Sequence, residues 1–144
     1  MKIAVATDER THLTDLVVEE LKRSGHELKL FGPLTGTDEE GEEWAEVSQK
    51  LAEVVAAQEC DEGVLFCWTG TGSCIAANKV PGIRAALCFD AETATGARKW
   101  NHANVLVMSL RLTSEANAKE ILDAWFSSPY GTEDFDIRNV DGVR

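Results

Sequence analysis

Apolar residues gather in five short runs along the chain: KIAVAT (2–7), HELKLF (26–31), EGVLFC (62–67), IRAALC (83–88) and ANVLVM (103–108). Each has strand length and predicts a strand. Between them the apolar period changes to three and four, as in Leu13, Leu16, Val17 and Leu21, or Trp44, Val47, Leu51 and Val54. That spacing puts the apolar side chains on one face and predicts helices near 11–23, 43–57, 73–79, 91–99 and 115–126. Strand and helix alternate throughout, and parallel strands need a crossover element that then covers the sheet. The expected fold class is α/β: three layers, α/β/α, around a five-stranded parallel Rossmann-like sheet. Sites in such folds lie at the carboxyl ends of the strands.

Two segments stand outside this pattern. GPLTGTDEEGEE (32–43) reads as a solvated loop whose acids suit the N-terminus of the helix that follows. Residues 127–144, SSPYGTEDFDIRNVDGVR, show neither period and read as an extended tail that packs on a partner subunit or closes over a site. No internal repeat interrupts the chain, and 144 residues suit one domain spanning 1–144.

Charge narrows the partners. With 25 acidic against 14 basic residues the net charge is −11, which repels a phosphate backbone and argues against nucleic acid. An anionic small molecule must then be held by local arginines or backbone N–H groups. No apolar run is long enough to span a bilayer, and the N-terminal residues MKIAVATDE do not read as a signal peptide, so no membrane role is expected. Cys60, Cys67, Cys74 and Cys88 form neither a CxxC pair nor a disulfide framework, which points to a reducing cytoplasm. Trp44 and Trp125 sit at helical core spacing and are expected to be buried anchors. His12 and His26 are expected near the surface, and Arg84 and Arg98 in solvated or structural ion pairs.

The chemistry concentrates in GVLFCWTGTGSCIAANKV (63–80). A buried strand ends on Cys67, the turn Thr69-Gly70-Thr71-Gly72 follows, and a helix starts near Ser73. Successive N–H groups in such a turn favour negative charge, and the same field favours the thiolate of a neighbouring cysteine. A base beside an oxyanion cradle suits proton abstraction next to a carbonyl, with aldose–ketose isomerisation the plainest case. A cysteine at a strand end also fits a small buried apolar residue, as Cys60, Cys74 and Cys88 are read. The Walker pattern is absent, and a phosphatase-type Cys-x5-Arg loop would need Arg where Ser73 stands. Asp8-Glu9 resembles the acidic pair of a phosphorelay receiver, but the third strand ends in Cys67 rather than an acceptor aspartate.

From the first strand to about Val140 the chain resembles the family of ribose-5-phosphate isomerase B and the galactose-6-phosphate isomerase subunits. The densest matches are GVLFCWTGTGSCIAANKVPGIRAAL, NHANVL and AKEILDAW. The resemblance implies an enediolate isomerase with no metal or other cofactor, acting on a sugar or sugar phosphate. It also implies a homodimer or homotetramer with sites shared between subunits. By position, Cys67 is the base that shuttles the proton and Thr69 the hydroxyl that assists it. Trp68, Gly70, Thr71 and Gly72 form the turn that holds the enediolate. Asp8 contacts sugar hydroxyls, Asn101 lies in the site, and Arg111 and Arg138 hold a phosphate.

The departures from the family pattern are specific. Glu9 stands where a phosphate-binding His is usual, Trp100 where a ring-opening His is usual, Asp134 replaces a third arginine, and Trp68 replaces Gly. EEWAE takes the place of an aromatic-Pro signature. Indole carries one donor and no acceptor, so Trp100 cannot open a sugar ring; solvent, Asp8 or His102 is left for that step, with His102 favoured. Two carboxylates in place of two cationic contacts imply a changed outer pocket and an altered substrate, or a member that binds a sugar or anion without turning it over.

Overall fold

The computed structural model describes residues 1–36 and 43–144. Five strands, β1 (Lys2–Thr7), β2 (Glu27–Leu30), β3 (Glu62–Cys67), β4 (Ala85–Leu87) and β5 (Val105–Ser109), form one parallel sheet in the order β2-β1-β3-β5-β4. Six helices join or follow them: α1 (His12–Arg23), α2 (Trp44–Ala56), α3 (Thr71–Asn78), α4 (Ala91–Asn101), α5 (Glu115–Ser127) and α6 (Asp134–Gly142). The predicted α/β class is what forms, with β2, β4 and β5 each offset by a residue or more from its apolar run.

Both faces of the sheet are covered, so residues 3–6 of β1 and 64–67 of β3 are apolar at every step rather than at alternate ones. In β1, Ile3 and Val5 join Leu13, Val17, Met108, Ile121 and Trp125 on one face. Ala4 and Ala6 join Val47, Leu51, Val55 and Leu65 on the other. Each fully buried Leu, Ile or Val contributes about 1.5–3 kcal/mol by leaving water, and this supplies the main drive to fold. Helix starts are fixed by side chains that accept orphan N–H groups: Thr11 for α1, Asp90 for α4 and Ser114 for α5.

A polar group is built into the amino edge of the sheet. Glu62, the first residue of β3, is buried and pairs with Arg98 of α4 at 2.5 Å, while Trp125 Nε1 donates to its other oxygen at 3.2 Å. The Arg98 guanidinium lies over Trp125 and Tyr130, at 5.0 and 4.4 Å from their ring centroids, and donates to the Ala103 carbonyl at 2.7 Å. Burial raises the Glu62 pKa, although Arg98 and Trp125 pull it down. At the outer strand β4, Asn78 from α3 donates to the Ala85 carbonyl at 2.9 Å and accepts the Ala85 N–H at 2.8 Å.

Four expectations change. The 32–43 segment opens with a 3-10 turn, Gly32–Thr35, in which Gly32 and Leu34 are buried, so its start is not solvated; its acid run lies largely outside the described residues. Residues 127–144 are not extended, since α6 forms there. Only Val140 of α6 is buried, while Phe135, Ile137 and Val143 face outward, so no apolar stripe announces the helix. Trp125 is fully buried as expected, but Trp44 is 45% exposed. Arg84 donates to the Asn101 and His102 carbonyls rather than to a carboxylate. Among the described residues no helix is long and apolar enough to cross a membrane.

Candidate active site

Register brings three strand ends together. Thr7 of β1 aligns with Phe66 of β3, and Cys67 of β3 with Ser109 of β5. The residues that follow, Asp8, Trp68 and Leu110-Arg111, therefore share the carboxyl edge of the sheet. The edge is strapped: Leu110 N–H donates to the Cys67 carbonyl at 2.9 Å, and Arg111 N–H and Ser109 Oγ donate to the Trp68 carbonyl at 3.0 Å each. Strand order reverses between β1 and β3, where open α/β sheets leave a crevice. Cys67 is buried, with 7% of the residue exposed, at the last position of β3, and it belongs to neither apolar cluster.

The turn after Cys67 is shaped by its glycines and its helix. Gly70 has φ +85°, and a Cβ there would run into the Leu87 methyl, so only glycine makes this bend without strain. Helix α3 starts at Thr71, two residues earlier than its apolar pattern suggests, and no side chain caps it. The N–H groups of Thr71, Gly72 and Ser73 lack an intrahelical acceptor and present positive charge. Thr69 Oγ1 and Thr71 Oγ1 are 3.0 Å apart on the exposed side of the turn, and Trp68 is exposed beside them.

Asp8 follows β1, the strand beside β3, at the same carboxyl edge. Its Oδ1 is buried and lacks a hydrogen-bond partner, a condition that costs about 1–3 kcal/mol and is relieved by a donor such as a sugar hydroxyl. Burial raises its pKa, opposed by backbone N–H groups of Asp8 and Glu9, with the Glu9 charge adding to the rise. Glu9 is exposed, and its backbone is folded against Thr7 Oγ1, which accepts its N–H at 3.2 Å. Arg111 is exposed at the same edge.

Trp100, Asn101 and His102 lie elsewhere. Helix α4 runs back from β4, so its last turn reaches the amino edge, where Gly63 N–H donates to the Asn104 carbonyl. Gly63 and Cys67 are four steps apart, about 13 Å at ~3.3 Å per residue. His102 Nε2 is 2.8 Å from the Gly131 carbonyl, and its ring stacks on Tyr130 at 4.5 Å. Trp100, Asn101 and Asn139 line a cleft of about 540 Å³ where α6 meets α4, and Arg138 is exposed on α6. Within one chain, then, Asp8, Glu9, Cys67 to Gly72 and Arg111 converge, whereas Trp100, Asn101, His102 and Arg138 collect at the opposite edge. Trp44, expected as a buried anchor, instead lies at this turn, its ring packed on Gly72.

A family model described as Ribose/Galactose Isomerase matches residues 3–142. The chain belongs to that family. Ribose-5-P isomerase B of Listeria innocua is 34% identical over 90% of this chain and 86% of its own length. Ribose-5-phosphate isomerase B of Clostridium thermocellum superposes with a TM-score of 0.90 at 34% identity, covering 99% of this chain and 95% of that one. The enzyme from Mycoplasma genitalium, solved with bound ribulose-5-phosphate, gives 0.89 at 29% identity over 99% and 93%. Membership places this chain among the aldose–ketose isomerases, which are intramolecular oxidoreductases.

Proposed function

We propose that this chain interconverts an aldose phosphate and its ketose through an enediolate at the Cys67 edge. The observation that carries this is the position of Cys67, at the end of a central strand, outside both apolar clusters and beside an uncapped helix start. The Cys67 thiolate takes the proton from the carbon next to the carbonyl and returns it to the neighbouring carbon. The N–H groups of the turn hold the oxyanion as it forms, and Thr69, paired with Thr71, passes the hydroxyl proton between the two substrate oxygens. Asp8 Oδ1 accepts a sugar hydroxyl.

His102 is engaged by the Gly131 carbonyl and Tyr130, so it anchors the tail. Ring opening falls to Asp8, whose burial brings its pKa closer to that of a proton-exchanging group. Glu9 repels a phosphate, which is therefore placed towards Arg111. A second copy of the chain completes the site by presenting its own Trp100, Asn101 and Arg138, the group that one protomer holds at its far edge. All four cysteines are free thiols, which suits a reducing cytoplasm.

The test is exchange of deuterium from solvent at the carbon beside the carbonyl, with ribose 5-phosphate and its free and shorter analogues as probes. Exchange in the wild type and none in C67S supports the assignment. Equal exchange in both would remove Cys67 from the mechanism, and a chain that binds a sugar phosphate without exchange would be a binding protein. A clear preference for ribose 5-phosphate would refute the altered outer pocket.

A further inference from the structure

We infer that Trp44 forms a wall of the substrate site and stacks on the carbon-bearing face of the sugar, a specificity role that rests on the isomerase reading above. Trp44 is the first residue of α2, and helix N-termini in a parallel sheet lie at its carboxyl edge. Helix α2 crosses from β2 to β3 over β1, packing on β1 and β3, so its start lies above the crevice between Asp8 and Cys67.

The ring is held against the catalytic turn. A Cβ built at Gly72 would meet Trp44 Cε3, Cζ3 and Cδ2 at 3.0, 3.2 and 3.3 Å, so the six-membered ring packs directly on the Gly72 backbone. Gly72 has no positive φ, and close approach of this indole is what its missing side chain permits. The two helix starts are also tied together. Ser48 Oγ donates to the Trp44 carbonyl at 2.5 Å and lies 2.8 Å from Ser73 Oγ, and both serines are fully buried. This tie uses the Trp44 backbone, so the indole itself is not needed to keep α2 on α3.

The indole nevertheless leaves 45% of the residue exposed and joins neither apolar cluster. Leaving the largest apolar side chain half in water forgoes much of its burial energy, which is recovered when a ligand covers the free surface. A sugar offers a matching partner, with hydroxyls for Asp8 and the turn on one side and C–H groups on the other. Trp68, exposed four residues before Gly72, adds a second aromatic surface to the same turn.

The experiment compares the wild-type chain with W44A and W44F, using kcat and KM for ribose 5-phosphate and quenching of tryptophan fluorescence by ribitol 5-phosphate, which has no carbonyl to enolise. The expected result is a KM about tenfold higher in W44A, the scale of one aromatic contact, with kcat within about twofold. W44F should restore most of the KM, because a ring face remains, and should reduce the quenching to the part that Trp68 contributes. Wild-type KM and quenching in both variants would overturn the proposal. So would a loss in W44A confined to kcat and thermal midpoint, the mark of a purely structural residue. If the wild type turns over no sugar phosphate, the isomerase reading fails, yet quenching that is reduced in W44F still supports the wall, and no quenching at all removes it.

Discussion

Replacing Gly70 by Ala tests the geometry of the oxyanion turn most directly. At φ +85° an alanine pays the left-handed penalty, about 1–2 kcal/mol. Its methyl would also overlap Leu87 Cδ1, and forcing a methyl into packed space costs a further ~1–3 kcal/mol. The sum, about 2–5 kcal/mol, is a large share of the ~5–15 kcal/mol that holds a domain together. At roughly 2–4 °C per kcal/mol for a chain of this size, the melting midpoint should fall by some 4–20 °C. Gly25 offers the control: its φ is +87° but nothing lies within 4 Å of a Cβ, so G25A should lose only the backbone part. Thermal unfolding followed by circular dichroism, at one protein concentration so that association contributes equally, separates the two. If G70A is no less stable than G25A, the clash with Leu87 is not real and the account of the turn is wrong.

Three further outcomes can be measured. D8N should lower kcat/KM by about 10–100-fold, the value of a charge-assisted hydrogen bond, and the wild-type acid limb should lie higher than a solvated aspartate would set it, because burial raises the Asp8 pKa; an unchanged acid limb in D8N would assign it to another group. Glu62 has a raised folded-state pKa, so its contribution to stability is fully present below the unfolded value and is lost as pH rises through the folded one; denaturant titrations should show the wild type losing ground to E62Q over that interval, and the reverse slope would contradict burial as the dominant cause. Cys88 is fully buried with its pKa pushed up to about 12, so native alkylation at pH 8 should spare it while activity is lost through Cys67, as peptide mapping by mass spectrometry will show.

The sheet was legible because its strands are buried on both faces and therefore read as unbroken apolar runs, of which EGVLFC is the clearest. The strand-turn-helix around Cys67 was legible for a related reason: Gly70 and Gly72 mark places where the backbone must come close to something. What they approach, Leu87 and Trp44, is set by packing between segments and leaves no local trace. Helix α6 was missed because it buries only Val140 and so carries no period of its own. Trp44 was misplaced because helical spacing assigns a face and does not tell whether that face ends at the core or at a crevice. The position of Asn101 and His102 relative to Cys67 depends on the direction of α4, which alternation implies but local motifs do not express.

The side-chain amide of Asn78 behaves, at Ala85, as one more residue of a neighbouring strand would. It occupies the donor and acceptor that β4 would otherwise offer outward, and so blunts the flank through which sheets of separate molecules fuse into continuous ribbons. An N78A protein would uncover that flank, and is the one to watch for fibrillar aggregation during storage.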